Sequence, residues 1–158
     1  MPLSRRRLLG FTLAALVALP LAGCGRKRTE PASRGDLHPG ETPELRGQIR
    51  RAAAELQIPE SLLHRVIQRE SDYNAGARNG PYYGLMQILP QTARTMGYQG
   101  PSEGLLNAET NLRYAGRYLR GAWIVSDGNE SEAVMWYAKG YYYEAKRLGL
   151  LEETGLRT

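Results

Sequence analysis

The sequence predicts a mainly α-helical domain with at most one very short β segment, and three observations lead to this prediction. Apolar residues recur at helical spacing between about residue 45 and residue 148. Helix-starting residues precede several of these stretches, as in Thr42-Pro43. Alternating strand patterns are scarce, and only residues 82–88 could pair briefly as an extended segment.

Six helices are predicted in order along the chain. The first begins with Thr42 as the N-cap and Pro43 as the first helical residue. The second begins at Pro59 and runs to about Glu70, and a loop rich in Gly, Asn and Tyr follows at 72–83. The remaining helices are predicted at 90 to about 97, 108 to about 124, 130–137 and 141–148, with Gly149 capping the last.

The first 23 residues have the layout of a secretory signal peptide. A positive start, Arg5-Arg6-Arg7, precedes an apolar run at 8–21 that is too short for an ordinary membrane span. Small residues then lead to Cys24. The segment 4–9 also resembles a twin-arginine export signal, although a third arginine fits a plain basic start equally well, so both export routes remain open.

Cys24 is the last residue of Leu21-Ala22-Gly23-Cys24, which resembles the lipobox of bacterial lipoproteins. The resemblance implies that Cys24 is acylated and anchors the protein to a membrane surface. By the same resemblance, Gly25 in place of aspartate favours the outer membrane, facing the periplasm. The alternative is an ordinary signal peptide with an incidental Cys24. Cys24 is the only cysteine in the sequence, so no disulfide can form within the chain.

Residues 24–42 are polar, charged and rich in Pro and Gly, which predicts a flexible tether with His38 in solvent. The folded domain is predicted at 43–158. Of the positive residues behind the net charge of +5, three lie at 5–7 and three at 26–28, beside the predicted anchor. This placement suits lipid head groups or an anionic wall, and it argues against a nucleic-acid partner, which would need a basic patch on the folded domain.

Glu70 is the most informative single residue. It shares one helix face with Leu63, Val66 and Ile67, so its carboxyl group lies with the apolar residues. Such a carboxyl group has two interpretations. It is either a solvated or paired charge at a helix end, or it lies in a cleft where burial raises its pKa and makes it a proton donor.

Glu70 belongs to the first of four short motifs that follow one another along the chain. The motifs are Glu70-Ser71, Gly84-Leu85-Met86-Gln87-Ile88 with Pro90 and Thr92-Ala93, Asn111-Leu112 with Tyr118-Leu119, and Tyr137 with Gly140. Together they resemble the lytic transglycosylase domain of the lysozyme superfamily, the soluble lytic murein transglycosylase type. The likeness covers roughly residues 45–148 and implies a lysozyme-like helical fold.

The resemblance also implies an enzyme that cleaves the MurNAc-β-1,4-GlcNAc bond of peptidoglycan and leaves 1,6-anhydro-MurNAc ends. Glu70 would be the catalytic acid and base, and no cofactor would be needed. Substrate-binding roles carry over to Ser71, Met86, Gln87 and Tyr137, whose hydroxyl group is expected near Glu70. Each of these four residues also has a simpler structural interpretation. Ser71 could hydrogen-bond backbone groups at the helix end, and Met86 could fill space in the core. Gln87 could hold the loop in place, and Tyr137 could be a core tyrosine.

Three departures from the family pattern concern substrate contacts: Ala115 for the usual glycine, Ala138-Lys139 for Asn-Ala, and the loop at 78–83. Asp72 fits a turn better than a second catalytic carboxylate. His64 has no partner at ligand spacing, so no metal site is predicted. Two alternatives stay open: a lysozyme-type hydrolase of the same bond, and a non-catalytic peptidoglycan-binding envelope lipoprotein. The sequence identifies no protein partner.

Overall fold

The computed structural model describes residues 36–157, which form six α-helices and one two-stranded hairpin. The elements are α1 (Pro43–Leu56), α2 (Glu60–Ser71), β1 (Arg78–Asn79), β2 (Tyr82–Tyr83), α3 (Pro90–Thr95), a 3₁₀ turn (Ser102–Leu106), α4 (Ala108–Val125), α5 (Glu130–Lys139) and α6 (Tyr142–Leu148). The predicted mainly helical fold class with one very short β segment is confirmed.

Helix α4 lies at the centre of the domain. It packs against α1, α3, α5, α6 and the 3₁₀ turn, so most of its surface is removed from water. Its buried part contains many small residues and comprises Asn111, Leu112, Ala115, Gly116, Leu119, Gly121, Ala122 and Val125. Gly116 has no room for a Cβ because the Leu56 side chain of α1 fills that space. The small residues therefore let neighbouring helices approach α4 closely.

The ends of the helices follow the signals in the sequence. The Thr42 side-chain oxygen accepts a hydrogen bond from the Leu45 N–H at 3.1 Å, which confirms the predicted start of α1. Gly149 ends α6 in the left-handed conformation, as predicted. Helix α5 runs two residues beyond the predicted end at Tyr137, because nothing interrupts it before Gly140, which has φ +81°.

The hairpin is short, but it positions the loop that forms part of the candidate active site. Strand β1 pairs antiparallel with β2, and Tyr83 also forms an isolated bridge with Ile88. Of the extended segment predicted at 82–88, the first two residues form a strand and Ile88 pairs back with it. Between its two ends, residues 84–87 form a tight loop, which is held against the end of α2.

Residues 36–42, which the sequence assigns to the tether, pack against the helical domain. The prediction that His38 lies in solvent is wrong: its ring is partly buried and stacks on Tyr73 at a centroid distance of 5.3 Å. Local composition could not reveal this, because the contacts come from residues far along the chain. Residues 1–35, with the predicted signal peptide, Cys24 and the basic cluster, lie outside the described residues.

Between residues 36 and 157, no helix is both long enough and apolar enough to cross a membrane.

Candidate active site

Glu70 lies in the last turn of α2. The inner face of this helix is formed by Leu62, Leu63, His64, Val66 and Ile67, all of them buried. Glu70 follows Val66 and Ile67 by four and three positions, so its side chain extends from the edge of that face. The Glu70 side chain remains 24% exposed, so its carboxyl group is accessible from outside the protein.

The Glu70 carboxyl group opens into a cavity of about 370 Å³. Three separate parts of the chain line it: the end of α2, the hairpin with its loop, and the end of α5. The lining residues are Arg69, Glu70, Asn79, Tyr82, Gln87, Tyr137 and Ala138. Among these described lining residues, Glu70 is the only carboxylate. The cavity therefore presents one acidic group among aromatic and amide side chains.

Burial raises the pKa of Glu70 above its usual value, because the ionised carboxylate is less well solvated in the cavity wall. The neighbouring Arg69 guanidinium, 3.6 Å from the carboxylate, acts in the opposite direction and offsets part of the effect. This arginine is half exposed, so solvent screens its influence. A carboxyl group that holds its proton at higher pH is suited to general acid catalysis.

Gln87 carries an unpaired acceptor at the cavity wall. Its Nε2 group donates to the Gly84 carbonyl at 2.8 Å and to the Ala77 carbonyl at 3.2 Å, which fixes the side chain. Its Oε1 atom is buried and accepts no hydrogen bond from the described residues. A buried acceptor without a partner costs free energy, so the described residues leave the Gln87 amide only partly satisfied.

Asn111 braces the loop that carries Met86 and Gln87. Its Oδ1 atom accepts from the Met86 N–H at 2.9 Å, and its Nδ2 group donates to the carbonyls of Tyr83 and Leu105, each at 2.8 Å. The side chain is fully buried, and Gly84 packs directly against it with no room for a Cβ. One amide therefore satisfies three backbone groups and joins α4 to the hairpin loop.

Ser71 ties the end of α2 to the same loop. Its hydroxyl group donates to the Leu85 carbonyl at 2.7 Å. Tyr137 makes the corresponding bond from α5, donating to the Met86 carbonyl at 2.7 Å. Two hydroxyl groups from different helices thus fix the backbone of the loop that carries Gln87.

A family model for the Transglycosylase SLT domain matches residues 47–149, about two thirds of the chain. The chain belongs to this family. Its activity is accordingly that of a transglycosylase acting on the glycan strands of peptidoglycan. A comparison with solved structures found no match.

The SLT fold brings together three of the five residues that the sequence singles out for chemistry and binding. Glu70, Gln87 and Tyr137 line one cavity. Met86 is fully buried and contributes its backbone to the site, and the Ser71 side chain is used on the Leu85 carbonyl. The roles of the five residues in substrate binding and catalysis stay predictions.

Other residues of the SLT domain line the cavity, although the sequence assigns them no catalytic or substrate-binding role. Arg69, Asn79, Tyr82 and Ala138 belong to this group. Ala138 and the segment 78–83 lie at the positions where the sequence departs from the family pattern, and that departure was the available signal. Nothing local indicated that the hairpin and the end of α5 would meet.

A cluster of possible metal ligands, His38, Glu41 and His64, lies elsewhere in the described chain, with ligand atoms within 4.8 Å of one another. Both oxygens of Glu41 already accept hydrogen bonds from the Arg46 guanidinium, at 2.7 and 2.6 Å. A cation would have to bind beside this fixed positive charge. The chemistry of the cluster therefore fits an ion pair better than a metal centre.

Proposed function

We propose that this SLT protein cleaves the MurNAc-β-1,4-GlcNAc bond by intramolecular transglycosylation, leaving 1,6-anhydro-MurNAc ends. The observation that carries the proposal is the single carboxylate in the cavity wall. Most glycosidases use two carboxyl groups, about 5 to 9.5 Å apart, one as acid and the other as base or nucleophile. Closing an internal ring with the substrate's own hydroxyl group needs no second carboxylate.

In the proposed reaction Glu70 acts twice. Protonated Glu70 first gives its proton to the glycosidic oxygen while the bond between that oxygen and C1 of MurNAc breaks. The acetamido group of the same sugar stabilises the positive charge at C1. The ionised Glu70 then takes the proton from the 6-hydroxyl group as its oxygen bonds to C1. The proton count balances, no water is consumed, and Glu70 ends protonated for the next cycle.

The surroundings of Glu70 support the first of these steps. Burial raises its pKa, so the protonated form persists at higher pH than in an exposed glutamate. Gln87 also lines the cavity, and a glutamine side chain can hydrogen-bond the hydroxyl and amide groups of a sugar. Tyr82, which is 42% exposed at the cavity, offers a ring face for a sugar to stack on.

The hydrolase alternative would require water to attack C1, with a base to activate it. Asp72 is the nearest carboxylate in sequence, but it caps α2 in a left-handed conformation, is exposed, and does not line the cavity. This placement favours the transglycosylase over a two-carboxylate hydrolase.

The nature of the product tests the proposal. We expect digestion of purified peptidoglycan by the full chain in ¹⁸O-labelled water to release fragments lighter by one water than hydrolysis products and free of ¹⁸O. A lysozyme digest serves as the control that takes up the label. Labelled reducing ends would establish hydrolysis instead. Binding to sacculi with no release of fragments would establish the non-catalytic alternative.

We also propose that Cys24 carries the lipid anchor and that the protein lies at the outer membrane, facing the periplasm. The proposal rests on the charge, apolar and small-residue order that ends at Cys24. We expect the full chain expressed in bacteria to incorporate an alkyne-tagged fatty acid, and the Cys24→Ala variant to incorporate none. Equal labelling of the two proteins would contradict lipidation at this residue.

A further inference from the structure

Residues 36–41, which we call the strap, precede the region matched by the SLT family and pack beside the end of the helix that carries Glu70. The closest approach is made by Gly40. A Cβ at this position would lie 2.7 Å from the Asp72 carbonyl oxygen and 3.6 Å from the Tyr73 Cβ, and the residue has φ +81°. Only glycine tolerates both the backbone conformation and the contact. The strap therefore touches the backbone two residues beyond Glu70.

The backbone that the strap touches is itself under strain. Asp72 and Tyr73 are consecutive non-glycine residues with φ of +48° and +65°, in the left-handed region. Non-glycine residues rarely adopt this conformation, and it persists only where the surrounding structure enforces it. Tyr73 is buried and makes two side-chain contacts. Its hydroxyl group lies 2.9 Å from Nδ1 of His64, and His38 of the strap stacks on its ring.

The strap is fixed at both of its ends. The Arg46 guanidinium of α1 binds Glu41 through two hydrogen bonds and the Asp36 carbonyl through a third at 3.0 Å. The Glu41 carboxylate also accepts from the His38 N–H at 3.0 Å. Burial alone would raise the pKa of Glu41, but these bonds hold it below its usual value. The carboxylate is therefore ionised at neutral pH and holds the strap against α1 through Arg46.

The end of α2 is held from its other side by the bond between the Ser71 hydroxyl group and the Leu85 carbonyl. Glu70 thus directly precedes the short segment 71–73. The active-site loop contacts this segment at Ser71, and the strap contacts it at Asp72 and Tyr73. We propose that the strap is a positioning element for Glu70, with Gly40 and His38 as its positioning residues. The inference rests on the proposed role of Glu70 as catalytic acid.

The test compares Gly40→Ala with Gly149→Ala in the full chain, kept in detergent. Both glycines have positive φ, +81° and +76°, but a Cβ added at Gly149, at the end of α6, would meet no atom within 4 Å. We expect Gly40→Ala to lower kcat about tenfold with KM within about twofold, because a displacement of about 1 Å at a catalytic group costs one to two orders of magnitude in rate. Gly149→Ala should keep both constants.

The pH profile separates positioning from simple loss of stability. If Gly40→Ala moves Glu70 toward solvent, the descending limb of kcat/KM should shift to lower pH, toward the usual pKa of glutamate. The other ionisable side chains lining the cavity are Arg69, Tyr82 and Tyr137, so Glu70 is the only carboxyl group among the described lining residues. The limb therefore reports Glu70.

A second pair of variants keeps the test decisive if Gly40→Ala does not fold. His38→Phe retains a ring to stack on Tyr73, and His38→Ala does not. We expect His38→Ala to reproduce the fall in kcat and the shifted limb, and His38→Phe to restore wild-type values. Wild-type kinetics in His38→Ala and in any folded Gly40→Ala would overturn the strap proposal. An inactive wild-type protein would instead refute the proposed function.

Discussion

Replacing Glu70 with glutamine is expected to lower the rate of glycan cleavage by about 10²- to 10⁴-fold, the usual contribution of a positioned general acid. Glutamine has nearly the same shape and fits the same wall of the cavity, but it has no proton to give to the glycosidic oxygen. With one carboxylate lining the cavity, no other described side chain there can take over. Release of soluble fragments from purified peptidoglycan measures the effect.

The same substitution should not weaken the fold, which supplies the control. Burial raises the pKa of Glu70 in the folded protein, so between the unfolded and folded pKa values the folded state binds more protons than the unfolded one. The stability contributed by this group is therefore greatest at low pH and falls as pH rises through the folded pKa. The Glu70→Gln variant has no ionisable group here, so its stability does not fall in this way as the pH rises. We therefore expect its Tm to exceed that of the wild type at neutral pH, and the two Tm values to lie closer together in acid.

These two results together distinguish an active-site role from a structural one. An inactive variant with a raised or unchanged Tm assigns the chemistry to Glu70. An inactive variant with a clearly lowered Tm would point to damage of the fold, and a fully active variant would refute the assignment.

The parts of the fold that could be predicted are those with local causes. Helix starts at Thr42-Pro43 and the stop at Gly149 depend on capping groups within one turn, and the structure confirms them. The partial burial of Glu70 follows from its three- and four-residue spacing to Val66 and Ile67, which are wholly buried. The sequence carries this information within a single helix.

The cavity and the strap could not be predicted in the same way. The cavity wall joins residues 69 and 70, residues 79, 82 and 87, and residues 137 and 138, which only the tertiary fold brings together. The strap has the polar, glycine- and proline-containing composition typical of a tether, yet the Glu41 ion pair and the His38 stack attach it to the domain. A polar segment is ordered when its partners lie elsewhere, and composition does not show those partners.

The motif residues illustrate a further limit. Met86 and Ser71 stand in segments that resemble the family's site, but the Met86 side chain fills the core and the Ser71 hydroxyl group binds a backbone carbonyl. A sequence match marks a position without separating a residue that touches substrate from one that shapes the loop. Asn111 belongs to the second kind, and its hydrogen bonds allow the size of its contribution to be predicted.

Substituting Asn111 with alanine is expected to lower the free energy of unfolding by about 3 to 5 kcal/mol, at the upper end of single-residue effects. The change leaves the Met86 N–H and the carbonyls of Tyr83 and Leu105 without their side-chain partner in a fully buried place. Each buried group left unsatisfied costs about 1 to 3 kcal/mol, and partial relaxation reduces the sum. Urea unfolding, with the midpoint and m-value compared to wild type, measures the loss.

Asn107→Ala is the matched control, because Asn107 caps the same helix and its side chain accepts one exposed hydrogen bond, from the Thr110 N–H. Loss of such a cap costs about 0.5 to 2 kcal/mol. The two variants remove the same functional group from α4, yet only Asn111 holds the loop that carries Gln87. Asn111→Ala should therefore also lose cleavage activity under conditions where it is still folded, and Asn107→Ala should retain it. Equal stability losses in the two variants, with activity intact in both, would show that the loop does not depend on this brace.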